Sequence, residues 1–433
     1  MAKGKKPYGY RKLSGGDITG FDDEASIASS TTLSQTCRSY QCEDDVDEAH
    51  DFVDTYVDAL EKLEEKRTSV RVKGYEELSS YLRAGVHASE SERHCETLIE
   101  LCLKSLRKGG DYEKEVASVV LGLHFISMPE DVYERLWDLV KPQLEKVALE
   151  CDSSEAQTSA IECLAMCCFV TCEEPCSTKD IMSLLRRIYK MGDRGTSRAA
   201  ALRAWSLLFI SLSSQLVASE VECVLLDMAD LLVGSRNVDV RTAAGEIVAL
   251  IHSAYGVLNL EDLEKDGDDD CNACVLEGKS NIVMHEEGAD HAERIESLVE
   301  RMQDLATHNH GDALRASKRN KAAQRVVFRS ILGKLERRSC KAEKVKLASG
   351  YVLEITTHDG QITLSAFRRL LGGGLQVHLQ DNPLLHAIFD FLPRSQEGNP
   401  GKQMKRNSGA AKGKTKERKN ERVKKESSRL ANC

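Results

Sequence analysis

The sequence predicts a mainly α protein: an armadillo/HEAT-like α-solenoid followed by a small α+β C-terminal module, with disordered ends. Three observations carry this reading. Proline is rare, at 7 of 433 residues, and aromatics make up only 5%, so long helices can run uninterrupted and an all-β core is disfavoured. Helical segments of one kind recur about every 42 residues, the interval of stacked helix pairs. After Asp312 the recurrence stops and a shorter, mixed pattern begins.

Residues 1–45, with "DDEASIASSTTLSQT", are rich in Ser, Thr and acids and lack apolar clusters. They are expected to be disordered. A helical repeat domain is expected over residues 46–310. Val53, Tyr56, Val57, Leu60 and Leu63 fall on one face of its first helix, and Val72, Tyr75, Leu78 and Leu82 on one face of the next. The recurring segments are "EKEVASVVLGLHFI" from Glu113, "EAQTSAIECLAMCCFV" from Glu155, "TSRAAALRAWSLLFIS" from Thr196 and "VDVRTAAGEIVALIHS" from Val238. Each begins polar, passes through small residues and ends almost wholly apolar. Such ends are stable only if neighbouring units cover them, so the units must stack on one continuous core. Second helices lie between them, such as "CETLIELCLKSL" and "DIMSLLRRIY".

An acidic insertion at 261–290 is expected to be a loop, after which Ile295, Leu298, Met302 and Leu305 mark a further helix. The C-terminal module is placed at 312–393, as a compact unit of about 80 residues. It opens with an amphipathic helix whose apolar side is read as Ala322, Val326, Phe328, Ile331, Leu332 and Leu335. Next come a strand-like "YVLEIT", a short helix "LSAFRRLL", a Gly372-Gly373-Gly374 turn and a last helix with Asn382 as N-cap and Pro383 in its first turn. Residues 394–433 have no aromatic and few apolar side chains and are expected to be a disordered basic tail.

Charge is segregated. The chain as a whole is acidic, with 60 Lys+Arg against 69 Asp+Glu. Yet residues 312–346 carry 12 bases and three acids, and residues 394–433 carry 13 bases and four acids. Blocks of one sign mark tails or surfaces for a partner of opposite sign. Lys318, Arg319, Lys321, Arg325 and Arg329 recur at helical spacing and form a stripe that can track phosphates. The tail adds Lys412, Lys414, Lys416, Arg418, Lys419, Arg422, Lys424 and Lys425. With no aromatic beside them, the tail residues suit phosphate contact rather than base stacking. A solvated face and a nuclear-localising segment are the plainer readings of the two features.

Nothing in the sequence points to catalysis. Cys271, Cys274, His285 and His291 approach a zinc-finger spacing, but the Cys274-to-His285 interval is two residues short and lacks the packing aromatic. Gly278-Lys279-Ser280 follows an acidic run instead of a buried strand, so it is no phosphate loop. The 15 Cys are odd in number and sit in apolar stretches such as "ECLAMCCFVTC", which favours buried thiols in a reducing compartment. No cofactor, membrane contact or small-molecule substrate is expected.

The segments "DEASIASSTT", "ALEKLEEKRTSVRVKGYEEL", "SKRNKAAQRVVFR" and "AFRRLLGGGLQVHLQDNPLLHAIF" resemble the interferon-related developmental regulator family, over about residues 20 to 392. The resemblance implies a helical-repeat, non-enzymatic regulator of gene expression in growth and differentiation. It implies two activities: binding of the ribosome and its RNA with repression of translation, and nuclear co-regulation of transcription as an adaptor for a histone-deacetylase complex. Cytoplasm and nucleus are the compartments that follow.

Overall fold

The computed structural model describes residues 45–128, 130–171, 175–212, 214–265, 281–307, 318–337, 342–347 and 349–392. The predicted disordered N-terminal segment, the basic tail and the Cys271/Cys274 pair lie outside them.

Two rows of helices alternate along the chain. One row comprises α2 (Thr68–Ala84), α5 (Asp111–Ser127), α7 (Ser154–Thr171), α9 (Gly195–Phe209) and α11 (Val238–Lys265), each packed on the next. The other comprises α4 (Cys95–Lys108), α6 (Glu130–Glu150), α8 (Pro175–Met191), α10 (Ser214–Gly234) and α12 (Asn281–Thr307). Of these, α4 packs on α5, α6 on α7, α8 on α9 and α10 on α11. Helix α1 (Asp45–Glu64) precedes the rows, and the short α3 (Ala88–Arg93) links α2 to α4. Gly74 of α2 lets α1 approach: a Cβ there would sit 2.8 Å from the Ala59 carbonyl oxygen.

The rows differ in kind. In α4 and α8 the buried residues follow an i, i+3/i+4 stripe, as in Thr178, Ile181, Met182, Leu185, Ile188 and Tyr189. In α5, α7 and α9 burial runs almost all round the helix over the last two turns or more, as in Val120 to Ser127 of α5. Such helices must be covered on every side.

The repeat interval read from the sequence is visible in the hydrogen bonds. Arg71 reaches Glu113, 42 residues on; Arg186 reaches Asp227, 41 on; Arg203 reaches Glu162, 41 back; and Arg194 reaches the Cys151 carbonyl, 43 back. The Ser154 and Thr196 hydroxyls meet at the same interval. Two of these contacts anchor buried networks. Arg71 holds Glu113 through both carboxylate oxygens at 2.8 Å, and its third nitrogen donates to the Glu65 and Lys66 carbonyls. The Ser105 hydroxyl donates to Glu113 while receiving the Tyr75 hydroxyl. Asp227 accepts from Arg186 at 2.6 Å, Lys190 at 2.7 Å and Tyr189 at 3.1 Å.

The C-terminal part contains the predicted α+β elements. Helix α13 (Lys318–Arg337) packs on α11 and α12. A two-stranded antiparallel hairpin follows, β1 (Glu343–Lys346) and β2 (Val352–Ile355), with Val345 opposite Leu353. Then come α14 (His358–Leu371), a 3-10 turn at Gly372–Gly374, α15 (Leu375–Asp381) and α16 (Pro383–Ile388). This part does not close on a core of its own. Helix α14 lies on α9, α5, α7 and α11, and α15 reaches α2, so residues 358–391 form a strap along the apolar row. The described residues from Ala49 onward are one compact unit.

Several local expectations need correction. Phe328, Ile331, Leu332 and Leu335 are buried as expected, but Ala322 is exposed and Val326 is 48% exposed. Gln324 is buried in their place, accepting a hydrogen bond from Arg241 at 2.7 Å. Helix α11 runs on to Lys265 and α12 starts at Asn281, so both reach into the acidic stretch read as a loop. Strand β1 carries no alternation that would have marked it, and α14 starts six residues before "LSAFRRLL".

Two outcomes follow. A Cβ on Gly374 would overlap the Arg83 carbonyl oxygen, whereas one on Gly373 meets nothing within 4 Å. Gly374→Ala should therefore lower the urea-unfolding free energy by about 1–3 kcal/mol, and Gly373→Ala should change it by less than about 0.5 kcal/mol. The second outcome concerns acid. Burial pushes the Glu113 carboxyl up, but the Arg71 and Ser105 hydrogen bonds outweigh it and hold the group below its ordinary range. Its stabilising share is present above the unfolded-chain value and fades as pH falls through the lower folded value. Urea midpoints taken from pH 6 down to pH 3 should fall less steeply for Glu113→Gln than for the parent chain.

Candidate functional site

The cationic stripe predicted for the start of the C-terminal part lies on α13. The backbone of Lys318, Arg319 and Lys321 is in the first turns of that helix. Further along, Phe328 and Ile331 pack where α11, α12 and α13 meet, against Gly245 and Met302. That anchoring turns the opposite side outward. Arg329 is exposed, Arg325 is half-buried, and exposed Ala322, Val326 and Ser330 lie beside them. Among the side chains described there, small and apolar residues share the outward face with cations at its edge.

Three other cations of the C-terminal part pair with glutamates of the fold. Lys344 pairs with Glu354 across the hairpin at 2.6 Å, and Arg368 pairs with Glu343 at 2.5 Å. Arg369 turns inward to Glu162 of α7 at 3.1 Å, and Arg203 of α9 meets the same oxygen at 3.5 Å. Glu246 of α11 lies near Arg203, Arg369 and Lys334; burial raises its carboxyl above the ordinary range, and those cations only partly offset it. His358 is lowered to about 4 by burial and by Lys334, against a backbone hydrogen bond with Ala249. These groups form a charged seam between the row and the strap. Sequence spacing could not have found it, because its members come from five helices.

At the strap's far end, hydrogen bonds cap helix ends. His378 Nε2 lies 2.8 Å from the Leu82 carbonyl oxygen, near the end of α2. A carbonyl only accepts, so Nε2 carries the proton. Asn382 Nδ2 donates to the Ile126 carbonyl at the end of α5 at 2.9 Å, and faces His378 Nδ1 at 3.3 Å. Its Oδ1 accepts from the Leu384 backbone N–H at 2.9 Å, which is the predicted N-cap. In return Arg83 Nε donates to the Leu370 carbonyl at 3.1 Å. Beyond the strap, Leu392 is 83% exposed, and the tail cations Lys412 to Lys425 lie outside the described residues.

Among the described residues no group of three or more His, Cys, Asp or Glu side chains could hold a metal, and no helix is long and apolar enough to cross a membrane. Buried thiols at Cys163, Cys167 and Cys168 line α7. His285 and His291 of the zinc-like spacing fall in α12.

Residues 24–336 match the family model for interferon-related developmental regulator (IFRD), which is more than half of the chain. Over 314 residues the chain is 26% identical to "Interferon-related developmental regulator 2" of Mus musculus, covering 69% of this chain and 63% of that one. It is 26% identical over 310 residues to "Interferon-related developmental regulator 1" of Sus scrofa and 25% identical over 312 residues to that of Homo sapiens, with 68% and 61% covered in each case. The alignments span just over three-fifths of these relatives. The relatives are named as developmental regulators and not as enzymes. The resemblance in the sequence thus has a matching family model and a matching fold behind it, and the chain belongs to the interferon-related developmental regulator family.

Proposed function

We propose that this chain is a non-enzymatic regulator of gene expression whose α13 face and basic tail contact ribosomal RNA and so repress translation. The observation that supports it is the placement of Arg325 and Arg329 at the edge of the outward face of α13, beside the buried Phe328 anchor. Phosphate neutralisation with counterion release would supply the affinity, and the rigid seat of α13 on α11 and α12 would fix its direction.

The alternative is a nuclear adaptor for a histone-deacetylase complex. In that reading a partner meets the other row or the ends, because α14 already occupies the apolar face of α5, α7 and α9.

Co-sedimentation with ribosomes across a salt series tests the proposal. Binding should fall steeply with salt. Arg325→Glu with Arg329→Glu should weaken it and reduce the log–log slope by about 1.4 if each residue neutralises one phosphate of a single strand. Removing residues 394–433 should reduce the slope further. Unchanged sedimentation of both variants would sink the RNA reading, and retained binding of deacetylase-complex proteins by the tail-less chain would favour the adaptor.

A further inference from the structure

We propose that residues 358–391 are a strap that lifts from the helical row as one piece, and that the His378–Asn382 pair is the latch that keeps it closed. The inference does not depend on whether α13 or the tail binds RNA. The closed strap is an intramolecular occupant of the row's apolar face, so any partner helix that used this face would compete with α14.

The polar contacts make opening possible without stranding a charge. Glu162 is shared by Arg369 of the strap and Arg203 of the row, so it keeps a partner when Arg369 leaves. Glu246 likewise retains the nearby Arg203 and Lys334, neither of which belongs to the strap. The latch bonds end on the Leu82 and Ile126 carbonyls, in the last turns of α2 and α5, where helix carbonyls have no intrahelical partner and water can replace the strap's donors. Breaking a buried ion pair one-sidedly is strongly unfavourable; this strap avoids it. The remaining costs are the apolar burial by Leu364, Phe367, Leu371 and Leu379 and the contacts with the hairpin, where Arg368 pairs with Glu343, the Ser349 N–H donates to Gln380 and Tyr351 stacks on Phe391.

The latch also has a defined protonation state. With Nε2–H given to Leu82, His378 Nδ1 must accept from Asn382. A proton on Nδ1 would set one donor against another. The groups that act on His378 are the Leu82 carbonyl, His87 before α3 and Asp381 beside it; Arg83 and His386 bond elsewhere, to the Leu370 and Leu379 carbonyls. Burial lowers the His378 imidazole, with His87 adding to this and the Leu82 carbonyl and Asp381 opposing it. A lowered closed-state value means that closure is fully stable above the free-histidine range and weakens as pH falls below about 6.5.

Native thiols report the opening. Cys163 lies beneath the strap: a Cβ on Gly122 would sit 3.2 Å from Leu370 Cδ1 and 3.6 Å from Cys163 Sγ. Cys95, also buried, begins α4 in the other row. In the full chain with Asn382→Ala, a thiol reagent followed by peptide mapping should modify Cys163 at least tenfold faster than in the parent, with Cys95 unchanged. Equal acceleration at both thiols, or none at Cys163, would overturn the proposal. A second arm needs no destabilised variant. Between pH 7.5 and 5.5, amide exchange of residues 358–391, corrected for intrinsic rates, should rise relative to α7 and α9 in the parent. His358, also in the strap, is lowered to about 4 by burial and shares in that rise. His378→Gln keeps a donor for Leu82 but cannot titrate, so it should cut the rise while leaving the share from His358. A rise undiminished in His378→Gln, or exchange of strap and row in step, counts against the latch.

Discussion

The structure depends on one constraint: α5, α7 and α9 are apolar around nearly their whole circumference in their later turns and must be covered from every side. Neighbours in the same row cover two sides and the amphipathic helices α4, α6 and α8 cover a third. The fourth is closed by α14, with Phe367 and Leu371 fully buried. An open solenoid with this sequence would leave a long apolar face in water, at roughly 25 cal/mol for every Å² exposed. The strap is thus part of the energetics of the repeats, although it lies beyond the span matched by the family model. The same closure means that this apolar face of the row is already covered by the chain itself.

Buried polar networks settle register where apolar packing is permissive. Small residues such as Ala199, Ala200 and Ala201 let neighbouring helices approach closely, but they tolerate sliding. Arg71 on Glu113 and Arg186 on Asp227 do not, because a shift of one turn would strand a buried carboxylate. Both pairs hold a tyrosine hydroxyl in the same network, Tyr75 through Ser105 and Tyr189 directly. The two arrangements lie in different rows, so the resemblance reflects a shared physical need and not the repeat alone.

How much of this was legible follows from what kind of signal each feature leaves. The repeat interval was readable because each unit places the same helix type at the same spacing, and the inter-repeat bonds of 41 to 43 residues are its structural image. The Asn382–Pro383 cap was readable because capping is local chemistry. The apolar face of α13 was misread at Ala322 and Val326, because periodicity cannot tell that Arg241 waits opposite Gln324. Strand β1 was missed because "EKVK" offers one buried side chain and gains its partner only by pairing with β2. The strap was out of reach altogether. A period identifies a face that needs cover and is silent about which distant segment supplies it.

The same limit applies to charge. Counting bases over residues 312–346 treats every lysine and arginine as available, yet folding sorts them. The hairpin register sets Lys344 opposite Glu354, and the α14 seat brings Arg368 to Glu343. Those pairs stay partly exposed, and the arginines of α13 ride on a helix held by Phe328 in a pocket formed by two other helices.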